Sequence, residues 1–229
     1  MLPVRFVRYA LLAVLAAALG VAAPASAERA YLMGGNLAGS FPSGDWGEVA
    51  GFGLAIDGTN VNYPNEDKPF AIRSSAGVLY NFSRTVDVPQ ANLAPSSDLG
   101  LETKNWSVYF GVGPEFSKLG GSVSPFVYGT VGFDTYWTKS ELAGTAGGAP
   151  YSSSHGDSRF SFAWAGGVGV RKPVGAGKTI EISVEYRSGT SHEFLLPGDV
   201  TGSGTTVTAN RENHPSNQIL LRIGTMVDY

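Results

Sequence analysis

The last eleven residues of this chain alternate. Ile219, Leu221, Ile223, Thr225, Val227 and Tyr229 fall on one side of a period of two, with Leu220, Arg222, Gly224, Met226 and Asp228 on the other. A repeat of two marks a β-strand, whose successive side chains point to opposite faces. The first set is apolar and the second is mostly polar or small, so the strand divides an apolar environment from a wetter one. A soluble sheet lying on a core could do the same. The pattern is more restrictive because it runs into a terminal aromatic residue and is matched by an export signal at the other end.

That signal begins with Arg5 and Arg8, followed by an apolar run from Tyr9 to Ala23. Pro24 ends the run, and Ala25-Ser26-Ala27 has the small-x-small form of a cleavage site. Residues 1–27 are therefore expected to be a cleaved signal peptide, leaving a domain of residues 28–229 that starts at Glu28. The apolar run is shorter than the about 20 residues a spanning helix needs, and no second run of that length follows. Helical membrane spans are not expected in the exported domain.

Between the ends, further segments alternate. In Asn105–Ser117, Trp106, Val108, Phe110, Val112, Pro114 and Phe116 oppose Ser107, Tyr109, Gly111, Gly113 and Glu115. Val127, Val131, Phe133 and Trp137 oppose Tyr128, Thr130, Gly132 and Asp134. Phe160, Phe162, Trp164, Val168 and Val170 oppose Ser161, Ala163, Ala165, Gly167, Gly169 and Arg171. Ile180, Ile182, Val184 and Tyr186 oppose Glu181, Ser183, Glu185 and Arg187. Weaker segments lie at Ser75–Phe82 and Val49–Asp57, with a first strand near Tyr31–Ser40. The count is eight strands, with an extra short hairpin between Asp57 and Phe70 as an open alternative.

The connections and faces point to a membrane. From the fourth strand onward short turns alternate with long loops, Lys139–Ser158 and Ser188–Ser216, as in an antiparallel up-and-down transmembrane barrel with periplasmic turns and extracellular loops. Trp106, Phe116, Trp137, Phe160, Tyr186 and Tyr229 stand near strand ends, where aromatic girdles belong. The opposite faces are rich in Gly and Ala, which suits the crowded inside of a narrow barrel. Charged residues are only 15% of the chain, low for a soluble surface. The competing architecture is a soluble sandwich, with the apolar faces packed on each other. There is no Cys, so neither disulfides nor thiol chemistry is expected. A net charge of −3 and the lack of a basic patch argue against a nucleic-acid partner.

The stretches Ser107–Phe116, Pro125–Phe133 and Ile223–Tyr229 make residues 28–229 resemble the eight-stranded outer-membrane barrels of the OmpA/OmpX type, close to the bacterial surface-antigen outer-membrane β-barrel family. In that family the last strand and its final aromatic residue signal to the barrel-assembly machinery. The resemblance implies that role for Tyr229, Val227, Thr225, Ile223 and Leu221, although the family more often ends in Phe. It also implies a location in the outer membrane, among its lipids and lipopolysaccharide.

Little else carries chemistry. Lys172–Thr179 imitates the end of a phosphate-binding loop but lacks its first Gly and precedes a strand rather than a helix. Ser191-His192-Glu193 holds nucleophile, base and carboxylate types together, yet adjacent strand residues face opposite ways. His155 and His214 lack partners at metal-ligand spacing, and no cofactor motif is present. The inward charges stand out: Glu115, Asp134, Arg171, Glu181, Glu185, Arg187 and Arg222, with Arg73 as a further candidate. In a barrel only wide enough for its side chains they must pair, and Arg222 is expected to meet Glu181 or Glu185. The chain thus reads as a non-enzymatic outer-membrane protein, structural or displaying its loops. Alternatives are a narrow pore for small solutes or ions and a lipid-modifying enzyme centred on His192.

Overall fold

The computed structural model describes residues 31–229, apart from positions 66, 118–121, 211 and 229 and the side chains of residues 191 and 192. The elements are β1 (Tyr31–Ser43), helix α1 (Asp45–Val49), β2 (Gly53–Asn62), β3 (Phe70–Asp87), β4 (Asp98–Ser117), β5 (Ser124–Ala146), β6 (Ala149–Gly175), β7 (Lys178–Phe194), β8 (Val200–Ser203), β9 (Thr206–Ala209) and β10 (Glu212–Asp228). Eight strands close into a barrel in the order β1-β10-β7-β6-β5-β4-β3-β2, and β8 and β9 form a separate hairpin. Every neighbouring pair is antiparallel, and β10 closes the ring against β1, with Leu37 opposite Ile223.

The barrel is turned inside out relative to a soluble one. Ile56 (67% exposed), Val168 (57%) and Ile223 (55%) point outward, whereas Arg73, Glu115, Glu181 and Glu185 are fully buried. A contiguous apolar belt of this size would make a water-soluble monomer aggregate; against lipid it is the stable arrangement. Ten residues separate Trp106 from Phe116 along the outer face of β4. At about 3.3 Å per residue and a tilt of about 40°, they span about 25 Å, the height of a barrel's lipid-facing band. Both ends are marked by aromatic pairs: Trp106 stacks on Trp137 at 4.1 Å, and Phe70 meets Phe116 edge-on at 5.6 Å.

The outer loops depart from expectation. Lys139–Ser158 is not a loop. β5 and β6 stay paired up to Ala146 and Ala149, turning through Gly147 and Gly148, both at positive φ. Outside the membrane the outward face of a strand meets water and only its inward face, with Thr138, Ser140 and Leu142 on β5, stays buried, so the outward apolar row that reveals a strand is lost while the backbone pairing persists. For the same reason β7 runs on to Phe194, and β10 begins at Glu212. The extra hairpin is not in Asp57–Phe70, since β2 continues to Asn62 and a turn leads to β3; it is β8–β9 in the last loop. The second strand starts at Gly53, because Asp45–Val49 form α1, which buries Trp46 and Val49, and residues 50–52 link the two.

Candidate functional site

The lumen is filled by two layers of ion pairs. In the layer nearer the periplasmic end, Arg73 donates to Glu115 at 3.0 Å and to Glu181 at 2.6 Å. Arg171 donates to the same two carboxylates, at 2.8 and 2.9 Å. β3 and β7 stand on opposite walls of the ring, so Arg73–Glu181 crosses the lumen. The Arg171 guanidinium lies over the Phe126 ring at 4.2 Å and that of Arg73 over Tyr128 at 4.4 Å.

The second layer centres on Glu185. Its carboxylate accepts from Arg222 Nη2 at 3.0 Å, Arg187 at 3.2 Å and the Tyr128 hydroxyl at 2.7 Å, with Arg222 Nη1 ion-paired to it at 2.9 Å. Arg222 also approaches Asp57 at 3.4 Å, and Asp57 accepts from Tyr109 at 2.9 Å and Asn36 at 2.7 Å. Arg187 reaches Asp134 at 3.1 Å, and Tyr136 donates to the same carboxylate at 2.9 Å. Buried charges are tolerable only when paired and hydrogen-bonded on most of their polar atoms. Here each carboxylate has at least two donors. The inward glycines make room for the rings: a Cβ on Gly77 would lie 2.7 Å from the Tyr109 ring, and one on Gly167 2.5 Å from Tyr128.

Apolar clusters close both ends. At the periplasmic end Val61, Tyr63, Ala71 and Met226 pack together beside Leu32. At the extracellular end Trp46, Val49, Leu99, Leu101, Leu142, Phe194 and Val200 form a larger cap, with Trp46 and Phe194 edge-on at 4.9 Å. His214 on β10 fastens α1 to this cap through Asp45 at 3.1 Å. Trp46→Ala should loosen the cap at about 3–5 kcal/mol of packing. The expected result is faster protease cleavage in residues 195–211 of protein in vesicles, with no change in the barrel's urea midpoint. Uncleaved loops would show that the cap does not depend on Trp46.

Outside the belt, β3, β4, β5 and β6 continue as a sheet. On its outer face Lys104 lies opposite Lys139, each with a glutamate two residues away, Glu102 at 3.0 Å and Glu141. The hydrogen bond from Lys104 holds the Glu102 carboxyl below the usual carboxylate range. On the inner face Arg159 bridges Asp157 at 3.2 Å and Glu193, whose negative charge raises the guanidinium's pKa.

Of the residues singled out by sequence, Glu115, Asp134, Arg171, Glu181, Glu185, Arg187, Arg222 and Arg73 all lie in these two layers. Arg222 contacts Glu185, while Glu181 belongs to Arg73 and Arg171. Asp57, Tyr109, Tyr128, Tyr136 and Asn36 were not anticipated; the signal for the tyrosines was their place on the glycine-rich face. Val227, Thr225, Ile223 and Leu221 lie on the outer face of β10, and Tyr229 lies outside the described residues, as do residues 1–30. Among the described residues no His, Cys, Asp or Glu cluster could hold a metal ion.

The outer-membrane protein β-barrel domain model matches residues 10–212. The chain belongs to that family. Its place is thus the outer membrane, which the apolar belt and girdles require on physical grounds. No curated protein sequence matches the chain. Among solved structures, Neisserial surface protein A is 14% identical with a TM-score of 0.45, covering 89% of this chain and 100% of that one. Ail of Yersinia pestis, solved with the heparin analogue sucrose octasulfate, is 15% identical with a TM-score of 0.45 and the same coverage. A major outer membrane protein of Thermus thermophilus is 11% identical with a TM-score of 0.49, covering 87% and 99%.

Proposed function

We propose that this family member is a closed, non-enzymatic barrel that holds a β-sheet and its loops outside the cell for contact with other molecules. The observation that carries this reading is the lumen: two ion-paired layers between two apolar caps leave the interior to side chains. A narrow pore would need the Arg73–Glu181 pair and its neighbours to part, and each broken buried pair costs several kcal/mol. Glu193, the carboxylate beside His192, is engaged by Arg159, which supports a structural rather than catalytic part for that segment.

The same reading gives the ends of the chain their tasks. Residues 1–27 serve as the cleaved leader. Tyr229 with Val227, Thr225, Ile223 and Leu221 serves the assembly machinery, and outer-membrane lipids, lipopolysaccharide included, surround the belt. Planar-bilayer recording tests the central claim. Purified protein is expected to insert, as judged by heat-modifiable migration in gels, and to give no unitary current steps. Reproducible steps from the parent protein would replace this reading with that of a pore.

A further inference from the structure

The lipid-facing belt is not uniform around the ring. From Lys172 on β6, one row of outward residues winds through Thr225, Gly35, Gly58 and Ala76 and returns to β6 at Phe162, ten residues above its start. The circuit takes eight steps, each rising about 3 Å at a strand spacing of about 4.8 Å and a tilt of about 40°. It climbs from the periplasmic boundary to the outer girdle, and Gly58, at the fourth step, stands midway in the belt.

Below that row this wall turns small and polar. Asn60 lies two residues below Gly58 and Ser74 two below Ala76, about 7 and 10 Å above the level of Lys172. Their backbones pair across β2 and β3, with Asn62 beneath Asn60 and opposite Ile72. Among the described residues none of these three side chains has a hydrogen-bond partner, and the Asn62 Oδ1 atom is closed off from solvent as well. At similar depth the far wall carries Val168 and Val184, and its own glycine pair, Gly129 and Gly166, has Tyr186 in the same row. Gly35 and Gly58 have Thr225 and Ala76 beside them instead, and a Cβ on either would meet no atom closer than 3.7 Å.

Polar side chains turned to hydrocarbon without a partner are costly, and in membrane proteins they pair with one another where spanning elements meet. An acyl chain offers neither donor nor acceptor. Lipid headgroups reach Asn62, which lies beside Ile72 and two residues above the level of the girdle residue Phe70. Asn60 and Ser74 are too short to reach them from their depth. From this we infer that the β1–β3 wall is an interface between two copies of this chain.

Symmetry and amide chemistry select a second copy over another protein. Two copies in one bilayer share a two-fold axis along its normal, which keeps every residue at its own depth. Asn60 of one copy therefore faces the same residue and Ser74 of the other. A primary amide donates and accepts at once, so the patch is complementary to itself, whereas a different protein must supply matching polar groups at that one depth. Gly35, Gly58 and Ala76 let the two convex walls approach to hydrogen-bond range, as small residues do between membrane helices. With the far wall apolar, each copy offers one such face, and the assembly stops at a dimer.

The chain has no Cys, so single-cysteine variants of the full protein report the contact directly. In outer-membrane preparations treated with a short bismaleimide, Gly58→Cys is expected to give a crosslinked dimer, and Val168→Cys, at similar depth on the far wall, none. In dilute lipid vesicles, energy transfer between copies labelled through Thr208→Cys should reveal a dimer. Its association constant should fall about tenfold for Asn60→Leu, the effect of losing two symmetric amide bonds. Ser74→Val should weaken it in the same direction. Both variants are expected to keep the parent's heat-modifiable migration, since leucine and valine suit a lipid-facing site. A monomer at every protein density, equal crosslinking from the two walls, or an association untouched by both Asn60→Leu and Ser74→Val would leave the patch to lipid and overturn the dimer.

Discussion

Replacing Glu181 with leucine is expected to destabilise the folded barrel by about 3–5 kcal/mol, the range for breaking a buried ion pair from one side. The size follows from what is left behind. Glu181 takes two bonds from Arg73 and one from Arg171. Without it, two fully or nearly buried guanidiniums share Glu115 alone, and neither can reach water past Met226 and Tyr63 below or Glu185 above. Adding Arg171→Met should recover part of the loss, since it leaves Arg73 and Glu115 as a matched pair and puts an apolar side chain beside Phe126. The comparison is Glu141→Leu on the outer sheet, where an exposed pair with Lys139 is worth at most about 1 kcal/mol. Urea midpoints in lipid vesicles, read by tryptophan fluorescence and heat-modifiable migration, give the ranking. Equal midpoints for Glu181→Leu and Glu141→Leu would show that the lumen is wet enough to solvate the stranded charges. That outcome would also weaken the case for a closed barrel.

The alternation at Ile180–Arg187 or Phe160–Arg171 identified both faces residue by residue, because lipid on one side and packed polar groups on the other give the strand two contrasting environments. That contrast ends at the girdle. Above Trp137 the outward side of the run Thr138–Ser158 meets water while Leu142 and Tyr151 turn to the cap, and its paired strands read as a Gly- and Ser-rich loop. The ion pairs were legible only as a set. Arg222 stands opposite Ser183 in the ladder and reaches Glu185 diagonally, while Arg73 meets Glu181 across the lumen, a relation fixed by ring order rather than by spacing in the chain. Asp57 escaped notice because its strand was placed too early. Val49 and Ala50 continue the alternation but belong to the cap, where they pack with Trp46, while Phe52 stands on the outer face between Phe41 and Phe82.

Val168→Arg separates membrane from water most sharply. Val168 lies on the outer face between Val127 of β5 and Val184 of β7, eight residues below Phe160 and four above Lys172. That places it near the middle of the belt, where arginine on a barrel's lipid face costs about 2–4 kcal/mol. Lys172 itself is close enough to the periplasmic boundary for its ammonium to reach water; an arginine four residues higher must carry its charge through the apolar row. In a soluble protein the reverse would hold. A side chain 57% exposed to solvent could become arginine with a change within about 0.5 kcal/mol. Thr208→Arg, in the exposed β8–β9 hairpin, supplies the control, since its charge stays in water on either reading. The measurement is the urea midpoint of each variant folded into vesicles, beside its folded fraction in outer-membrane preparations. Val168→Arg should fall on both while Thr208→Arg matches the parent. If Val168→Arg folds into bilayers as stably as the parent, the outward face of β6 does not meet lipid, and the orientation of the whole ring must be reversed.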